Sequence, residues 1–139
     1  MKRLVLSTML GCLAVSMGAC PFNPTTTTVQ LVNDGNFPVE VTMYVGGSQY
    51  TTKELLRIAG EEIERTVPAR QTVTITRDCE DLEAVFIDNA KVSIAGVGPE
   101  DESDLLRDGT DFGCGDTIRF TFTYTLLPPN LDIGVSYPG

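Results

Sequence analysis

The sequence lacks two side chains that many functional sites use. There is no histidine and no tryptophan among its 139 residues. Without histidine, the chain cannot form a Ser-His-Asp triad or a Cys-His pair, and it offers no imidazole ligand to a metal ion. The remaining residues assemble into no recognisable catalytic constellation. We therefore expect a protein that is not an enzyme.

Basic residues are also scarce. The chain has 10 Lys and Arg against 19 Asp and Glu, which gives a formal net charge of -9. An acidic chain without a basic stripe repels a phosphate backbone, so we expect no nucleic-acid partner. The length predicts a single domain.

The first twenty residues have the order of a secretion signal. Lys2 and Arg3 precede a largely apolar stretch at residues 4–15, and small residues follow at 16–19. An apolar stretch of about a dozen residues is too short to span a bilayer as a helix, which takes roughly 20 residues. The order basic, apolar, small predicts a signal peptide that takes no part in the fold.

The junction Met17-Gly18-Ala19-Cys20 resembles the lipobox of bacterial lipoproteins, with Met17 where leucine is commoner. The resemblance implies that residues 1–19 are a lipoprotein signal peptide and that Cys20 becomes the lipid-bearing first residue. Its thiol would carry diacylglycerol and its amino group an acyl chain such as palmitate. Each buried CH₂ contributes about 0.8 kcal/mol, so several chains anchor firmly. Pro21 is not the Asp that retains some lipoproteins at the inner membrane, which favours the outer membrane or cell surface.

Cysteine parity agrees with lipidation at Cys20. The four cysteines are Cys12, Cys20, Cys79 and Cys114, and Cys12 would leave with the signal peptide. If Cys20 carries lipid, Cys79 and Cys114 remain and can pair; if it does not, an odd thiol is exposed in an oxidising compartment. The chain has no CxxC motif, so we predict a structural Cys79–Cys114 disulfide. Chain entropy gives such a bridge roughly 4 kcal/mol of stabilisation.

The pattern of the mature chain is mainly β. Residues 20–28 are rich in proline and threonine and predict an extended tether, followed by a domain at residues 29–139. Short runs with strand patterning lie at 29–32, 39–45, 72–76, 84–87, 92–95 and 118–125, and the turn signal Asn33-Asp34-Gly35-Asn36 follows the first. We expect an antiparallel β-sandwich of about six or seven strands.

Three local features complete this expectation. Asp88-Asn89-Ala90-Lys91 resembles a hairpin turn between two strands. Thr51-x-x-Glu54 fits a capping box, and Gly60 is a suitable end for the one short helix that would follow it. A further helical turn is predicted at residues 103–107.

The acidic residues are concentrated in one segment. Residues 78–116 contain 12 acidic side chains and two basic ones, and the densest part lies at 100–116. Oxygen ligands in a glycine-containing loop suit calcium, and the candidates are Asp104, Asp108, Asp111 and Asp116, with backbone carbonyls near Gly109 or Gly113. The spacing does not match an EF-hand loop. The other interpretation is a solvated acidic loop that maintains solubility and binds no cofactor.

Together these features predict a lipid-anchored, non-enzymatic protein of the cell envelope. It would be a binding or structural module that contacts the membrane through its lipid and has an envelope protein or a glycan as partner. The alternative is a calcium-dependent module that binds a glycan or protein through residues 100–116. The sequence does not indicate the ligand or the oligomeric state.

Overall fold

The computed structural model of the chain describes residues 23–139. The predicted signal peptide, Cys20 and Pro21 lie outside the described residues. Within residues 23–139 the elements are β1 (Thr26–Asn33), β2 (Val39–Gly46), α1 (Lys53–Ala59), β3 (Glu61–Val67), β4 (Thr72–Asp78), a 3-10 turn (Cys79–Asp81), β5 (Ala84–Val92), β6 (Glu100–Asp101), β7 (Leu106–Arg107), β8 (Thr117–Leu126) and β9 (Pro129–Ser136).

These strands form two sheets that pack face to face. The front sheet has the order β4-β1-β8-β9, and the back sheet has the order β3-β2-β5-β6, with β7 also paired to β5. Seven of the strands have seven or more residues, so the predicted β-sandwich is confirmed, as are its one short helix and its disulfide. One pair differs from the antiparallel expectation: β1 and β8 run parallel, with Leu31 opposite Phe120.

The core lies between the sheets and follows from side-chain alternation. Along β8, Ile118, Phe120 and Phe122 are fully buried, and the residues between them are more exposed. Strand β2 has the same period of two. The opposing buried side chains from β1, β2 and β5 are Val29, Leu31, Val39, Val41, Met43, Val45, Val85, Ile87, Ala90 and Val92. Burial of these apolar faces provides most of the driving force for folding.

The predicted hairpin turn at residues 88–91 is wrong, because β5 continues through it. Ala90 pairs with Val41 on one side and with Asp101 on the other. The pairing register of β2 and β5 shifts between Thr42 and Met43, which leaves Asp88 as an extra residue. The Asp-Asn pair therefore forms a β-bulge, which bends the strand without ending it.

The helical turn predicted at residues 103–107 is also wrong. Ser103 donates its backbone N–H to the carbonyl of Ile87 (2.9 Å), and its Oγ accepts the N–H of Ile87 (2.8 Å). Ser103 thus continues the sheet edge between β6 and β7, and Leu106 is already in β7. Pairing with β5 satisfies backbone groups that a single helical turn would leave without partners.

Two further boundaries differ from the sequence expectation. The tether is shorter than predicted, since β1 begins at Thr26 and not at Val29; Thr27 is fully buried and pairs with Arg77 of β4. The helix cap is Thr52, one residue after the predicted Thr51, and its side chain accepts the N–H of Leu55.

The sandwich has two distinct ends. The base is the end where β1 begins, beside the Cys79–Cys114 disulfide, whose Cα atoms are 5.4 Å apart. The tip is the opposite end and is formed by four loops, at residues 34–38, 68–71, 93–99 and 127–128. Hydrogen bonds from Arg70 to Gly35 and from Ser93 to Pro38 connect the first three of these loops.

Candidate functional site

The chain enters the sandwich at the base. Thr25 accepts the N–H of Cys79 through its carbonyl (2.9 Å), and the carbonyl oxygen of Pro24 lies 3.1 Å from the disulfide sulfur of Cys114. The disulfide therefore holds the entry point of the chain against the ends of β4 and the loop before β8. The predicted lipidation residue, Cys20, lies outside the described residues, six positions before the first residue of β1.

Acidic side chains collect at this same end. Asp78 pairs with Thr26, Glu83 donates its N–H to Gly46, and Asp108 donates its N–H to Glu83. The acidic residues that the 78–116 segment places at the base are Asp78, Glu80, Asp81, Glu83, Asp108, Asp111 and Asp116. Arg77 and Arg107 lie at this end too. Folding thus brings acidic residues from both ends of the 78–116 segment to the point where the chain enters the domain.

The structure does not assemble the four candidate calcium ligands. Asp111 accepts the backbone N–H of Arg107 (2.8 Å), and Asp116 accepts that of Gly113 (2.7 Å). Each of these carboxylates thereby stabilises a turn of its own loop. Across residues 23–139, no group of three or more metal-ligating side chains is placed to hold a metal ion.

A second small cluster covers the outer face of the back sheet near the base. Phe86 is fully buried there with Leu56 of α1, and Tyr44 stacks on it with ring centroids 5.8 Å apart. The guanidinium of Arg57 lies over the Phe86 ring at 5.2 Å and forms an ion pair with Asp88. Helix α1 therefore packs on the back sheet through a cation–π contact between Arg57 and Phe86 as well as through apolar burial.

Two pKa values in this cluster are shifted. The hydrogen bond from the Tyr44 hydroxyl to Glu62, followed by burial, raises the pKa of Tyr44 to about 12. The hydrogen bond to Asp88 raises the pKa of Arg57. Both shifts favour the form that each group already has at neutral pH, so neither the Tyr44 hydroxyl nor the Arg57 guanidinium is deprotonated there.

The half of the same sheet face that is nearer the tip has no helix over it. A shallow groove of about 350 Å³ runs across β3, β2 and β5, and its polar walls include Glu40, Glu64, Asn89 and Lys91. These side chains present hydrogen-bond donors and acceptors but no aromatic stacking surface. The groove has the character of an ordinary polar sheet face.

The tip has a different chemistry from the base. Its four loops contain one acidic and one basic side chain, Asp34 and Arg70. Apolar side chains are exposed there: Leu127 is 93% exposed and Val97 76% exposed, with Leu126 and Phe37 partly exposed. Phe37 is held by the Tyr124 hydroxyl, which accepts its N–H.

The sequence reasoning missed this apolar tip. The strand pattern at residues 118–125 ends before these leucines and does not single them out. The available signal was Leu126-Leu127 before two prolines, since both leucines lie beyond the alternating buried residues of β8. The aromatic side chain of Phe37 and the exposed Val97 gave no comparable signal, because each stands alone in a loop.

Comparison with known proteins assigns no family. No family model matches the sequence, and no curated protein matches it. Among solved structures, the chain is similar to a protein from Eubacterium rectale, with 11% identity over 78% of this chain and 88% of that one, and a TM-score of 0.44. It is also similar to the T6SS lipoprotein TssJ1 from Pseudomonas aeruginosa, with 13% identity over 84% of this chain and 99% of that one, and a TM-score of 0.45. Neither likeness carries a function to this chain.

Between residues 23 and 139, no helix has the length and apolar character needed to cross a bilayer.

Proposed function

We propose that the chain is a lipid-anchored, non-enzymatic module of the bacterial cell envelope that binds another envelope component. The observation that carries the proposal is the position of the chain entry. The lipobox-like Cys20 lies only six residues before β1, and β1 begins at the base beside the disulfide. An anchor at Cys20 would thus hold a rigid domain by one defined end.

The tether length fixes how near the domain stays to its membrane. Six extended residues span at most about 20 Å, at 3.3–3.6 Å per residue. The base, where the tether enters, would then stay within that distance of the lipid, while repulsion between an anionic leaflet and the acidic side chains of the base keeps the tether extended. The absence of an aspartate at position 21 supports the outer membrane or cell surface as its location.

Several charged side chains make structural contacts, and this favours a binding or structural role over catalysis. Asp111 and Asp116 cap turns, and Arg57 binds Asp88 to hold the helix. Calcium is not needed in this proposal, because these two aspartates already accept backbone N–H groups.

Detergent-phase partitioning of whole-cell extracts tests the anchor. We expect the wild-type protein in the detergent phase and the Cys20→Ser variant in the aqueous phase, or retained as an uncleaved precursor. Cys12→Ser is the matched control, since it removes a cysteine from the signal peptide and should leave partitioning unchanged. Wild-type protein found wholly in the aqueous phase would refute lipid anchoring.

A further inference from the structure

The free edge of β4 is open to pairing with another strand. Strand β4 lies at one end of the front sheet and pairs on one side only, with β1. Its central residues 72–76 read Thr-Val-Thr-Ile-Thr and include no charge, proline or glycine. A regular, β-branched strand with one unpaired side is a template for another strand.

The other sheet edges within residues 23–139 are protected in ways that natural sheets commonly use. Four of the seven residues of β3 are charged. Strand β9 begins at Pro129 and contains Asp132 and Gly134, and β6 and β7 have two residues each. Charge, proline and short length each discourage strand pairing. The contrast singles out β4 as the edge that can accept a strand.

Hydrogen bonds at both ends of β4 show which of its backbone groups point to the free edge. Asn33 donates its N–H to Gln71 (3.0 Å), and Cys79 donates its N–H to Thr25 (2.9 Å). The register of β1 and β4 has no shift between these bonds, and successive residues of an antiparallel ladder direct their backbone groups to opposite sides. The odd-numbered residues therefore bond to β1. The even-numbered residues, which present N–H and C=O groups to the free edge, are Thr72, Thr74, Thr76 and Asp78.

This edge is complementary to itself. A second copy, placed antiparallel about a two-fold axis at Thr74, sets Thr72 opposite Thr76 and Val73 opposite Ile75. The outward N–H and C=O groups of residues 72–76 then meet those of the other copy. Threonine pairs with threonine on the outer face, and apolar side chains pair on the core side.

The two neighbouring registers fit less well. An axis at Val73 sets Ile75 against Gln71, and an axis at Ile75 sets Val73 against Arg77. Each of these registers places an apolar side chain opposite a polar or charged one. The register about Thr74 is the one of the three that pairs apolar with apolar.

The same register brings opposite charges together. Asp78 of one copy lies opposite Arg70 of the other, and symmetry repeats this pair. Both side chains are exposed. Within residues 23–139, Arg70 donates to Asn36 through Nε and Nη2, which leaves Nη1 for a carboxylate. Opposite charges on facing strands stabilise the pairing.

We propose that two copies of the chain pair through β4 in the register about Thr74. The two four-stranded front sheets then form one sheet of eight strands. The carbonyl of Thr76 already accepts Nη1 of Arg77 (3.0 Å) and keeps a second lone pair for the other copy.

Membrane anchoring would favour this pairing. Two seven-residue strands form a small contact, and small interfaces are weak in dilute solution. Confinement to one bilayer raises the effective concentration of the copies. In this respect the inference rests on the proposed function. When the two-fold axis is perpendicular to the bilayer, both chain entries lie at the same height above the lipid.

Disulfide trapping in intact cells tests the pairing on the full-length chain. A cysteine at position 74 faces the same position of the other copy, with Cα atoms about 5.5 Å apart, a distance that a disulfide spans. We expect Thr74→Cys to give a covalent dimer on a non-reducing gel. Thr123→Cys is the matched control, because it is exposed on β8, which has a neighbour on each side, and it should give none.

Two differently tagged chains test the register. Thr72→Cys in one chain faces Thr76→Cys in the other, so the co-expressed chains should form a mixed disulfide dimer. Each variant alone places its cysteines four residues apart, about 13 Å along the strand, beyond the reach of a disulfide, and should form no dimer. These positions are exposed, so thermal melts of the variants should match the parent.

Charge exchange tests the recognition. Added to Thr74→Cys, Asp78→Arg should lower the dimer yield by about fivefold or more, because like charges then face each other at both ends of the pair. A further Arg70→Asp substitution restores opposite charges and should restore the yield. Failure of the second substitution to recover the yield would contradict the Arg70–Asp78 contact and this register.

Three other outcomes would overturn the proposal: no dimer from Thr74→Cys, an equal dimer from Thr123→Cys, or as much dimer from either tagged variant alone as from the mixture. Detergent partitioning of the same cells reports on the anchor separately. Protein in the detergent phase without the position-74 disulfide would refute the pairing and leave the anchor supported. A position-74 dimer in the aqueous phase would refute the anchor and leave the pairing supported.

Discussion

Asn33 is a buried side chain that ties the 34–38 loop to the end of β3 at the tip end of β1. Its amide nitrogen donates to the carbonyls of Phe37 (2.8 Å) and Val67 (3.0 Å), and its Oδ1 accepts the N–H of Gly35 (2.9 Å). The turn signal beginning at Asn33 is readable from the sequence. The contact with Val67 is not, because that residue is 34 positions away.

Asn33→Ala should lower the free energy of unfolding by about 1–3 kcal/mol, because buried carbonyl and N–H groups lose their partners. Asn33→Asp should cost at least as much, since a carboxylate faces carbonyl oxygens. Denaturant unfolding measures both. Asn130→Ala, at an exposed position of β9, is the control and should change stability little. Equal stability of Asn33→Ala and wild type would contradict this role.

The Glu61–Arg77 ion pair joins β3 of the back sheet to β4 of the front sheet. Arg77 donates from Nη2 to one oxygen of Glu61 (2.7 Å) and from Nε to the other (3.1 Å). This hydrogen bonding lowers the pKa of Glu61. Because the folded pKa lies below the unfolded one, the pair stabilises the fold above the unfolded pKa, and this contribution is lost as pH falls through the folded pKa.

Glu61→Gln should therefore reduce stability at pH 7 by about 0.2–1 kcal/mol, the usual range for a partly exposed pair. The difference from wild type should shrink towards zero as the pH falls through the folded pKa of Glu61. Thermal melts from pH 7 to acid pH measure it. Glu64→Gln changes an exposed carboxylate of the same strand and serves as control. A difference that grows on acidification would contradict the assignment.

At the level of elements, the clearest strands and the helix were predictable from periodicity, but β3 was not. Its buried residues are Ile63 and Val67, four positions apart, and four of its seven residues are charged. No period of two is visible in such an edge strand, and its charges discourage pairing with another chain. Strand β5 was misread for a different reason. Its Asp-Asn bulge has the composition of a turn, and only pairing with β2 and β6 shows that the strand continues.

The disulfide connects elements of different parts of the chain. Cys79 follows β4, Cys114 lies in the loop before β8, and the two are 35 residues apart. Its pairing was predictable from cysteine number and from strand positions. The contact of the disulfide with the entering chain was not predictable, because it depends on how Pro24 and Thr25 pack.

Reduction of the mature domain should lower the free energy of unfolding by about 2–5 kcal/mol. Urea unfolding with and without reductant measures the change. The Cys79→Ser/Cys114→Ser double variant should match the reduced wild type and should not respond to reductant. An unreduced domain in which both thiols react with alkylating reagent would contradict the pairing.

At the scale of the whole molecule, the acidic side chains are unevenly distributed along the long axis. The sequence already located most of the acidity within residues 78–116. The sequence did not show that a large part of this segment lies at the base, because this placement follows from the pairing of β1 with β4 and β8. The neutral tip likewise results from four loops that are far apart in sequence.

If the acidic side chains are only a solvated surface, calcium should stabilise the domain no more than sodium at equal ionic strength, because both ions merely screen charge. A cation site would instead add about 2.7 kcal/mol at a hundredfold excess over Kd. Thermal melts in the two salts distinguish these outcomes, and we expect equal shifts. A calcium-specific rise that is lost in Asp108→Asn or Asp111→Asn would establish the calcium-dependent alternative.

The central claim is that the domain is attached to its membrane through Cys20. Intact mass spectrometry of the mature protein, purified from membranes in detergent, tests it most directly. The account predicts a chain that begins at Cys20 and carries the added mass of diacylglycerol, with or without a further acyl chain on its amino group. A mature chain that begins elsewhere, or an unmodified Cys20, would contradict it.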